Sequence, residues 1–476
     1  MKANPAAIDE NSLDLLPSAK PGDRYTIQEW NVEEPSFWAE AGRAIALRNL
    51  TFSIFAEFLA FSIWQVWSAV AVSLPLIGFT FSLNQLFWLA AVPGLTGATL
   101  RIPYAFMVPK FGGRNWTLVS TALLLFPAIG IAVAVQDLQT PYMFFLILAL
   151  LCGVGGGNFA SSMANINYFF PKRRKGFALG LNAAGGNIGV SVVQFIVPIA
   201  ITFSIFGDFG GASHVSSKDS QPLWLQNAAL IWIPFIVLAL FTTWFFMNNL
   251  RVAQASFFEQ FKVLKDKHAW LMSLLYLGTF GSFIGYSAGF PLLIKSQFPD
   301  INPLQYAFIG PLVGSVLRPA GGWLADKLGG ATVTFWNFFL MMSAALGVVY
   351  FLAHKGDPGA FGGFFTMFLV LFVTTGIGNG STYRMIPIIY MTKNNVQPGH
   401  ASPAAMNNAN RQSGAVVGLT SAFAAYGAFF IPKSYGTSIE LTGAPIAAIV
   451  TFAIFYAICM TITYFFYKRE AAEIRC

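Results

Sequence analysis

The chain has 476 residues, of which 55% are hydrophobic, 16% are aromatic and only 10% are charged. An average soluble domain has about 25% charged residues, so this composition excludes an ordinary soluble protein and indicates a chain that lies largely in lipid. The net charge of +8 does not indicate a nucleic-acid partner, because the basic residues are distributed as the orientation signals of a membrane protein are.

Apolar runs long enough to cross a bilayer recur along the whole chain. A hydrocarbon core about 30 Å thick needs roughly 20 apolar residues per helix. Twelve runs of this kind follow one another, which predicts an all-α membrane protein with 12 transmembrane helices. Their approximate bounds are 51–74, 84–108, 116–136, 141–170, 176–206, 223–248, 269–296, 303–326, 331–353, 361–391, 402–432 and 442–467.

Charged connections predict how these helices are grouped. The longest charged connection between spans, residues 249–268, divides the runs six and six, so we predict an N-terminal bundle at 49–248 and a C-terminal bundle at 269–468. Residues 1–48 are polar and rich in proline and acidic side chains, which predicts a solvated N-terminal tail. A short tail at 469–476 follows the last run.

Basic residues predict the orientation in the membrane. With twelve spans both termini lie on one side, and most Lys and Arg residues of the connections fall on that side, including the run from Lys172 to Lys175 and the tail residues Lys468 and Arg469. Because basic loops stay in the cytoplasm, we predict a multi-pass protein of the cytoplasmic (inner) membrane with both termini cytoplasmic.

An internal repeat relates the second predicted span to the eighth. The segment Gly97-Ala-Thr-Leu-Arg101 matches Gly314-Ser-Val-Leu-Arg318, 217 residues later. A basic residue and a glycine pair follow both segments at the same offset, namely Lys110 with Gly112-Gly113 and Lys327 with Gly329-Gly330. A constant offset predicts two pseudo-symmetric six-helix halves related by an axis along the membrane normal, as in major facilitator transporters.

The two matched arginines lie deep in the membrane. Each precedes a predicted cytoplasmic lysine by nine residues, which places it roughly 13 Å deep at a cost of at least ~2.5 kcal/mol. A buried acid is one explanation, but the spans hold almost none, only Glu57 and Asp326 at the membrane edge. The other explanation is a small planar anion, because a guanidinium donates two parallel hydrogen bonds and aromatic faces exclude water above and below.

Glycine-rich stretches occupy the fifth and eleventh spans, at 176–188 and 418–430. Small residues at helical spacing let helices approach and slide, and packing alone explains them equally well. Asn182 and Asn187 are amides at lipid depth, so they need partners such as a facing helix or a ligand. The glycines that we single out are Gly176, Gly180, Gly185, Gly186 and Gly427.

With these stretches, the segment from Asn158 to Asn165 and the two arginine segments, the chain resembles the nitrate/nitrite porter family of the major facilitator superfamily. The resemblance extends from about Trp30 to Lys468 and includes a general superfamily loop motif from Gly322 to Gly330. It implies a twelve-helix transporter of nitrate and nitrite that works by alternating access.

The resemblance also implies the positions of the anion site. Two arginines grip the anion, two phenylalanines sandwich it, and the remaining positions donate a hydrogen bond or line the cavity, while glycines of both stretches let the helices pivot. The arginines are Arg101 and Arg318, and the phenylalanines are Phe159 and Phe280. The remaining positions are Tyr276, Asn187, Phe61, Gly418 and Ser421.

Two intramembrane charges, Glu57 and Arg384, depart from the family pattern. They either form an ion pair across the cytoplasmic gate or Glu57 carries a proton. Family members without a titratable acid in the cavity are interpreted as exchangers, since an empty site with two positive charges resists reorientation. We therefore favour exchange of nitrate for nitrite, and proton-coupled nitrate symport through Glu57 is the alternative.

Other classes of protein make different demands on the sequence. A transporter of another small anion, such as a carboxylate, stays open, whereas the twofold repeat with central charges argues against a channel or receptor. No nucleophile–base–acid set and no metal-ligand cluster occurs within the spans, so we expect no enzyme, no cofactor and no metal. The expected partners are nitrate, nitrite and the lipid bilayer, with no nucleic acid, and the chain is expected to be monomeric.

Overall fold

The computed structural model describes residues 25–251, 263–396 and 402–476. The predicted tail before residue 25 and the predicted linker from 252 to 262 lie outside the described residues. Twelve long helices fill the described part of the chain, which confirms the predicted all-α membrane fold. They are α1 (Pro35–Ile77), α2 (Leu83–Phe111), α3 (Gly113–Ala134), α4 (Tyr142–Phe169), α5 (Lys172–Ala200), α6 (Asn227–Phe246), α7 (Lys267–Gln297), α8 (Ile309–Leu328), α9 (Gly330–Ala353), α10 (Ala360–Lys393), α11 (Pro403–Ala425 and Gly427–Thr442) and α12 (Ile446–Lys468).

Several helices change their hydrogen-bonding pattern within the membrane. Helix α7 contains a π-helical turn at Leu277–Gly281, and α11 is interrupted at Tyr426. Insertions of this kind are frequent at functional sites because they redirect side chains. In the described part of the chain, four two-residue strands lie outside the membrane spans: β1 (Thr26–Ile27), β2 (His214–Val215), β3 (Pro222–Leu223) and β4 (Asn249–Leu250). Strand β1 pairs with β4 in parallel, and β2 pairs with β3 antiparallel.

Among the described residues, ten helices are long and apolar enough to cross a membrane, by length and composition alone. The two others, α2 and α8, carry Arg101 and Arg318 and contain internal prolines. Polar groups at this depth must be covered by neighbouring helices. Helix α2 packs against α4 and α11, and α8 packs against α10 and α5.

The two halves pack in the same way. In the first half α2 contacts α4 and α1 contacts α5, and in the second half α8 contacts α10 and α7 contacts α11. The halves meet where α2 contacts α11 and where α5 contacts α8. Gly112 and Gly329, which share the offset of the repeat, end α2 and α8 with φ values of 87° and 86°. Positive φ favours glycine, so the repeat fixes the same turn in both halves.

Tyr25, where the described residues begin, and the C-terminal residues lie on one side of the molecule, which we call the terminal side; the other is the opposite side. The β1–β4 pair joins the N-terminal segment to the end of α6, and Lys267 forms an ion pair of 2.5 Å with Glu473. This is the arrangement that an even number of spans requires.

Among the described residues, hydrogen bonds between the halves lie at mid-depth or toward the opposite side. On the opposite side Asn84 Nδ2 donates to Glu440 Oε2 at 2.6 Å, and Gln194 Nε2 donates to the Ser287 carbonyl at 2.7 Å. At mid-depth the hydroxyls of Thr99 and Tyr426 lie 2.9 Å apart. These contacts hold the halves together above the terminal side.

The face that each half presents to the other is uncovered toward the terminal side. Gly176 and Gly180 share a face of α5 with Gln194, and Gly414 and Gly418 occupy the corresponding part of α11. A Cβ at any of the four glycines would meet no atom of the described residues within 4 Å. The space between the halves therefore opens toward the terminal side in this structure.

The predicted tail of residues 1–48 is wrong for its last part. Helix α1 begins at Pro35, and Ala46 is fully buried within it. Before the helix, Trp30 Nε1 donates to the Tyr168 carbonyl at 3.0 Å. Isolated apolar residues among polar ones anchor this segment, and a span search based on long apolar runs does not detect them. Strand β4 and the start of α7 likewise occupy both ends of the predicted linker 249–268.

Candidate functional site

Arg101 lies in the middle of α2 and connects three helices. Only 1% of its surface is exposed. Its Nε donates to the Gly156 carbonyl of α4 at 3.0 Å, and its Nη1 donates to the carbonyl and the hydroxyl of Ser421 in α11 at 2.9 and 2.7 Å. Its Nη2 is buried and has no partner among the described residues. One guanidinium edge is thus held by the protein, while Nη2 stays free to bind a ligand.

Arg318 occupies the matching place in α8. Its Nη2 donates to the Tyr276 hydroxyl at 3.0 Å, and its buried Nη1 has no partner among the described residues. The two guanidiniums are close enough for their charges to repel each other. No ion pair of the described residues involves either arginine. Glu57 is near enough to interact with the charge of Arg101 but does not form an ion pair with it.

Three aromatic rings lie nearly parallel beside Arg101. The rings of Phe159 and Phe280 are 6.2 Å apart with an interplanar angle of 27°, and Tyr276 stacks on Phe280 at 5.4 Å and 11°. The Arg101 Cζ lies 4.6 Å from the Phe159 centroid and 5.2 Å from that of Phe280. A planar anion between the two rings needs about 7 Å between them, because each contact distance is about 3.5 Å. The rings of Phe159 and Phe280 would therefore have to move apart by less than 1 Å to admit the anion.

Phe61 and Trp64 of α1 extend this aromatic wall. Phe61 lies 6.1 Å from Phe159 and 5.2 Å from Trp64 between ring centroids. The Trp64 ring lies 5.4 Å from the Arg101 Cζ, and its Nε1 donates to the Pro93 carbonyl at 2.8 Å. Sequence reasoning missed Trp64, although its spacing of three residues after Phe61 places both on one helix face.

Asn187 lies on the face of α5 that meets the second half. The residue is fully buried, and neither amide atom has a partner among the described residues. On the same face Ser191 donates to the Phe308 carbonyl at 2.9 Å. Across the gap, Gly418 lies one turn before Ser421 and faces open space. The predicted positions Arg101, Asn187, Gly418 and Ser421 are therefore all at the boundary between the halves.

The signature glycines serve two different purposes. A Cβ at Gly185 would meet Ile54, one at Gly186 would meet Glu57, and one at Gly427 would meet the backbone of Gly281. These three glycines allow close helix packing, as the sequence predicts. Gly176 and Gly180 do not, since they contact no described atom in this conformation.

The predicted ion pair between Glu57 and Arg384 is wrong. Arg384 Nε instead donates to Asp326 Oδ1 at 2.5 Å, and both side chains are exposed. Glu57 is only 1% exposed, and both of its carboxylate oxygens lack a partner among the described residues. Its polar neighbours are Arg101 and Ser162. Tyr383, the residue before Arg384, lies beside Arg318. Successive side chains of a helix are rotated by about 100°, so Arg384 projects away from the site.

A polar cluster surrounds Ser162 beside Glu57. Asn182 Nδ2 donates to Ser162 Oγ at 2.5 Å, and the Ser53 and Ser162 hydroxyls lie 3.2 Å apart. Asn182 thus has the facing-helix partner that its depth requires. Sequence reasoning missed both serines, and it also missed Asn379 and Tyr383 of α10, whose buried polar atoms have no partner among the described residues.

These features are typical of a secondary transporter built from two helical halves, with two buried positive charges where the halves meet. Two buried guanidiniums supply the charge, and unpaired N–H groups supply hydrogen bonds to an anion. Such a site between two pseudo-symmetric halves fits alternating access by rocking of one half against the other.

Comparison with known proteins agrees with this class. The family model described as Major Facilitator Superfamily matches residues 50–432. The protein named nitrate/nitrite transporter NarU of Salmonella typhimurium is 48% identical, over 94% of this chain and 97% of that protein. The protein named probable nitrate/nitrite antiporter NarK2 of Thermus thermophilus is 42% identical, over 94% and 98%. The chain belongs to the nitrate/nitrite porter family of the major facilitator superfamily.

Solved structures share the fold. A bacterial homolog to the human lysosomal transporter Spinster, in an inward-facing and occupied conformation, superposes with a TM-score of 0.62 at 14% identity, covering 87% of this chain and 95% of that chain. The same protein in its unoccupied conformation gives a TM-score of 0.61. At this identity the likeness concerns the helical architecture alone.

Proposed function

We propose that this protein exchanges nitrate for nitrite across the cytoplasmic membrane by alternating access. The observation that carries the proposal is the pair Arg101 and Arg318. Both are buried, Arg101 is held at Nε and Nη1 and Arg318 at Nη2, and each keeps one buried Nη group that lacks a partner among the described residues. The relatives named as nitrate/nitrite transporters and antiporters, 42 to 48% identical, support the choice of anion.

The anion joins the two halves. Arg101 belongs to the first half and Arg318 to the second, and Asn187 adds an unpaired amide at the boundary. An oxyanion that accepts hydrogen bonds from both guanidiniums offsets their repulsion and draws the halves together, which closes the terminal side. Phe159 and Phe280 cover its faces and exclude water without using its oxygens.

The membrane orientation follows from the distribution of charge. Basic residues are concentrated on the terminal side, so we place both termini in the cytoplasm. The structure is then open toward the cytoplasm, with the outer gate closed by contacts such as Asn84 with Glu440. We also propose that the bundles at 49–248 and 269–468 move as units and that a single chain is sufficient, which light scattering of the purified protein tests.

Exchange follows from the charge of an empty site. The empty site keeps a net positive charge even when Glu57 is ionised, and the two guanidiniums repel each other in a space of low dielectric, so closure without an anion is unfavourable. Each half-cycle therefore needs an anion, nitrate in one direction and nitrite in the other. We expect proteoliposomes loaded with nitrite to take up nitrate rapidly and empty vesicles to take up little, and equal uptake in both would refute exchange.

Proton-coupled nitrate symport is the second candidate, and the unpaired buried carboxylate of Glu57 favours it. Uptake into empty vesicles with internal acidification that is lost in Glu57→Gln would establish symport. Uptake that needs internal nitrite, moves no protons and survives the substitution would leave Glu57 structural. Glu473→Gln is the matched control, because Glu473 is an exposed acid paired with Lys267 at the terminal side.

A transporter of another small anion is distinguished by competition. The rings of Phe159 and Phe280 lie 6.2 Å apart, which suits a flat anion better than a carboxylate with a tetrahedral substituent. We expect nitrate and nitrite to compete with each other at equal concentration, and acetate to compete weakly with both. Stronger competition by acetate would reassign the substrate.

A further inference from the structure

We propose that Asn379 and Tyr383 of α10 are further anion-binding residues, which donate hydrogen bonds to the same anion as Arg318. This inference rests on the proposed function and extends its site onto a helix that the sequence associated only with Arg384. The two residues are four apart in α10, so they lie on one helix face.

Asn379 is fully buried and has no hydrogen-bond partner for either amide atom among the described residues. A buried amide without a partner is costly, so it marks a place where another group binds or where the structure changes. Several other buried amides of this protein have a partner for at least one amide atom; Asn227, for example, donates from Nδ2 to the Phe203 carbonyl at 2.7 Å. Asn379 therefore requires an explanation that local packing does not provide.

Neighbouring residues of α10 fix the direction in which Asn379 points. Gly380, next in the chain, lies against the backbone of Arg318 in α8. On the other flank, the Thr382 hydroxyl lies 3.2 Å from that of Thr279 in the π-helical turn of α7. At about 100° per residue, Asn379 lies between these two directions. It thus faces the space between the segments that carry Arg318 and Phe280, at the depth of Arg318.

Tyr383 lies one turn further toward the terminal side and contacts the same group. Its ring centroid is 5.7 Å from the Arg318 Cζ and 6.0 Å from the ring of Tyr276. Its hydroxyl is buried and has no partner among the described residues. Tyr276 already accepts a hydrogen bond from Arg318 Nη2, whereas the Tyr383 hydroxyl and Arg318 Nη1 have no partner among the described residues.

The chemistry of these groups selects an anion with several oxygens. Arg318 Nη1, the Tyr383 hydroxyl and the Asn379 amide all supply N–H or O–H donors. A cation is repelled by the guanidinium, and an apolar ligand leaves the donors unsatisfied. The second half then resembles the first, in which Arg101 Nη2 and the Asn187 amide both lack a partner among the described residues and can donate to the anion. Each half contributes one arginine and one asparagine.

The test measures nitrate binding to the purified full-length protein by calorimetry in detergent, with sodium nitrate as the probe. Tyr383→Phe and Asn379→Leu each remove the donor and keep the size of the side chain. Loss of a hydrogen bond to a charged ligand should raise the nitrate Kd about tenfold or more in each variant. Tyr435→Phe is the matched control, since its hydroxyl is also buried and unpaired among the described residues but its ring packs against Phe87 and Phe452.

The outcomes separate this inference from the proposed function. If wild type does not bind nitrate, the proposed function fails and the inference fails with it. If wild type and Tyr435→Phe bind nitrate, Arg318→Lys does not, and the two α10 variants keep the wild-type Kd, the inference alone is overturned. Lower thermal stability of the α10 variants with an unchanged Kd would likewise assign them a structural role. A raised Kd at unchanged stability supports the inference.

Discussion

Replacement of Arg101 by lysine tests the anion site while the positive charge is kept. The guanidinium makes three hydrogen bonds that fix its plane, one to Gly156 and two to Ser421, and presents Nη2 to the space between the halves. A lysine ammonium is a compact point charge on a flexible stem, so it cannot bridge α4 and α11 and also donate to an anion in a fixed plane.

The expected magnitude follows from the contacts that are lost. A hydrogen bond to a charged group contributes about 1.5–3 kcal/mol, and each 1.4 kcal/mol is a factor of ten in the equilibrium constant. If one such bond from Nη2 to the anion is lost, the nitrate Kd should rise about ten- to hundred-fold. The substitution also removes the hydrogen bonds of Arg101 to Gly156 and Ser421, so the lysine ammonium is held less firmly. The rise in the nitrate Kd should therefore be at least this large.

Equilibrium nitrate binding and nitrite-driven uptake in proteoliposomes measure this effect. Arg114→Lys is the matched control, because Arg114 is also a buried arginine of the first half, with Nη2 donating to the Trp244 carbonyl at 2.7 Å on the terminal side. The control should keep its nitrate affinity even if its stability falls. Wild-type affinity in Arg101→Lys would refute the assignment of the site.

Three further substitutions probe other parts of the structure. Phe159→Ala removes one of two rings that lie 6.2 Å apart; the anion then loses one of the faces that exclude water, so nitrate binding should weaken in calorimetry. Gly427→Ala places a methyl group against the Gly281 backbone and should lower stability by about 1–3 kcal/mol, whereas Gly418→Ala should leave the melting temperature unchanged. Arg384→Gln breaks only an exposed ion pair, worth about 0–1 kcal/mol, so nitrate uptake should be unaffected.

The sequence is sufficient to predict the fold, because two independent patterns carry it. Twelve apolar runs predict twelve helices, and the repeat that relates Arg101 to Arg318 predicts two similar halves. The described residues form twelve long helices, and Gly112 and Gly329 end α2 and α8 with similar φ values. These patterns survive in a single sequence because lipid depth restricts composition along the whole length of each span.

The details of the site depend on helix rotation, which a span search does not determine. The hypothesis that Arg384 faces Glu57 fails because Arg384 binds Asp326 at the exposed edge, while the neighbouring Tyr383 faces Arg318. A charged residue in an apolar segment is itself a sequence signal, whereas an uncharged tyrosine beside it is not. Asn379 was missed for the same reason, since its significance lies in the absence of a local partner among the described residues.

The N-terminal segment shows a different limit of sequence patterns. Its anchoring residues are few and are separated by charges, so mean hydropathy predicts a solvated tail. In the structure Trp30 bonds the Tyr168 carbonyl at the end of α4, and β1 pairs with β4 after α6. Long-range pairings of this kind connect segments far apart in sequence, and neither partner carries a local signal.

The buried charges determine which measurement separates the two transport mechanisms. With Glu57 ionised, Arg101, Arg318 and Glu57 sum to +1, and a monovalent anion brings the loaded site to zero; with Glu57 protonated the loaded site carries +1. Nitrate-for-nitrite exchange moves no net charge per cycle, and uptake of one nitrate with one proton moves none either. A membrane potential therefore cannot distinguish the mechanisms, whereas an imposed pH gradient drives only the symporter. Nitrate accumulation in response to an inward proton gradient, without internal nitrite, would thus refute exchange even where potential-dependent assays agree with it.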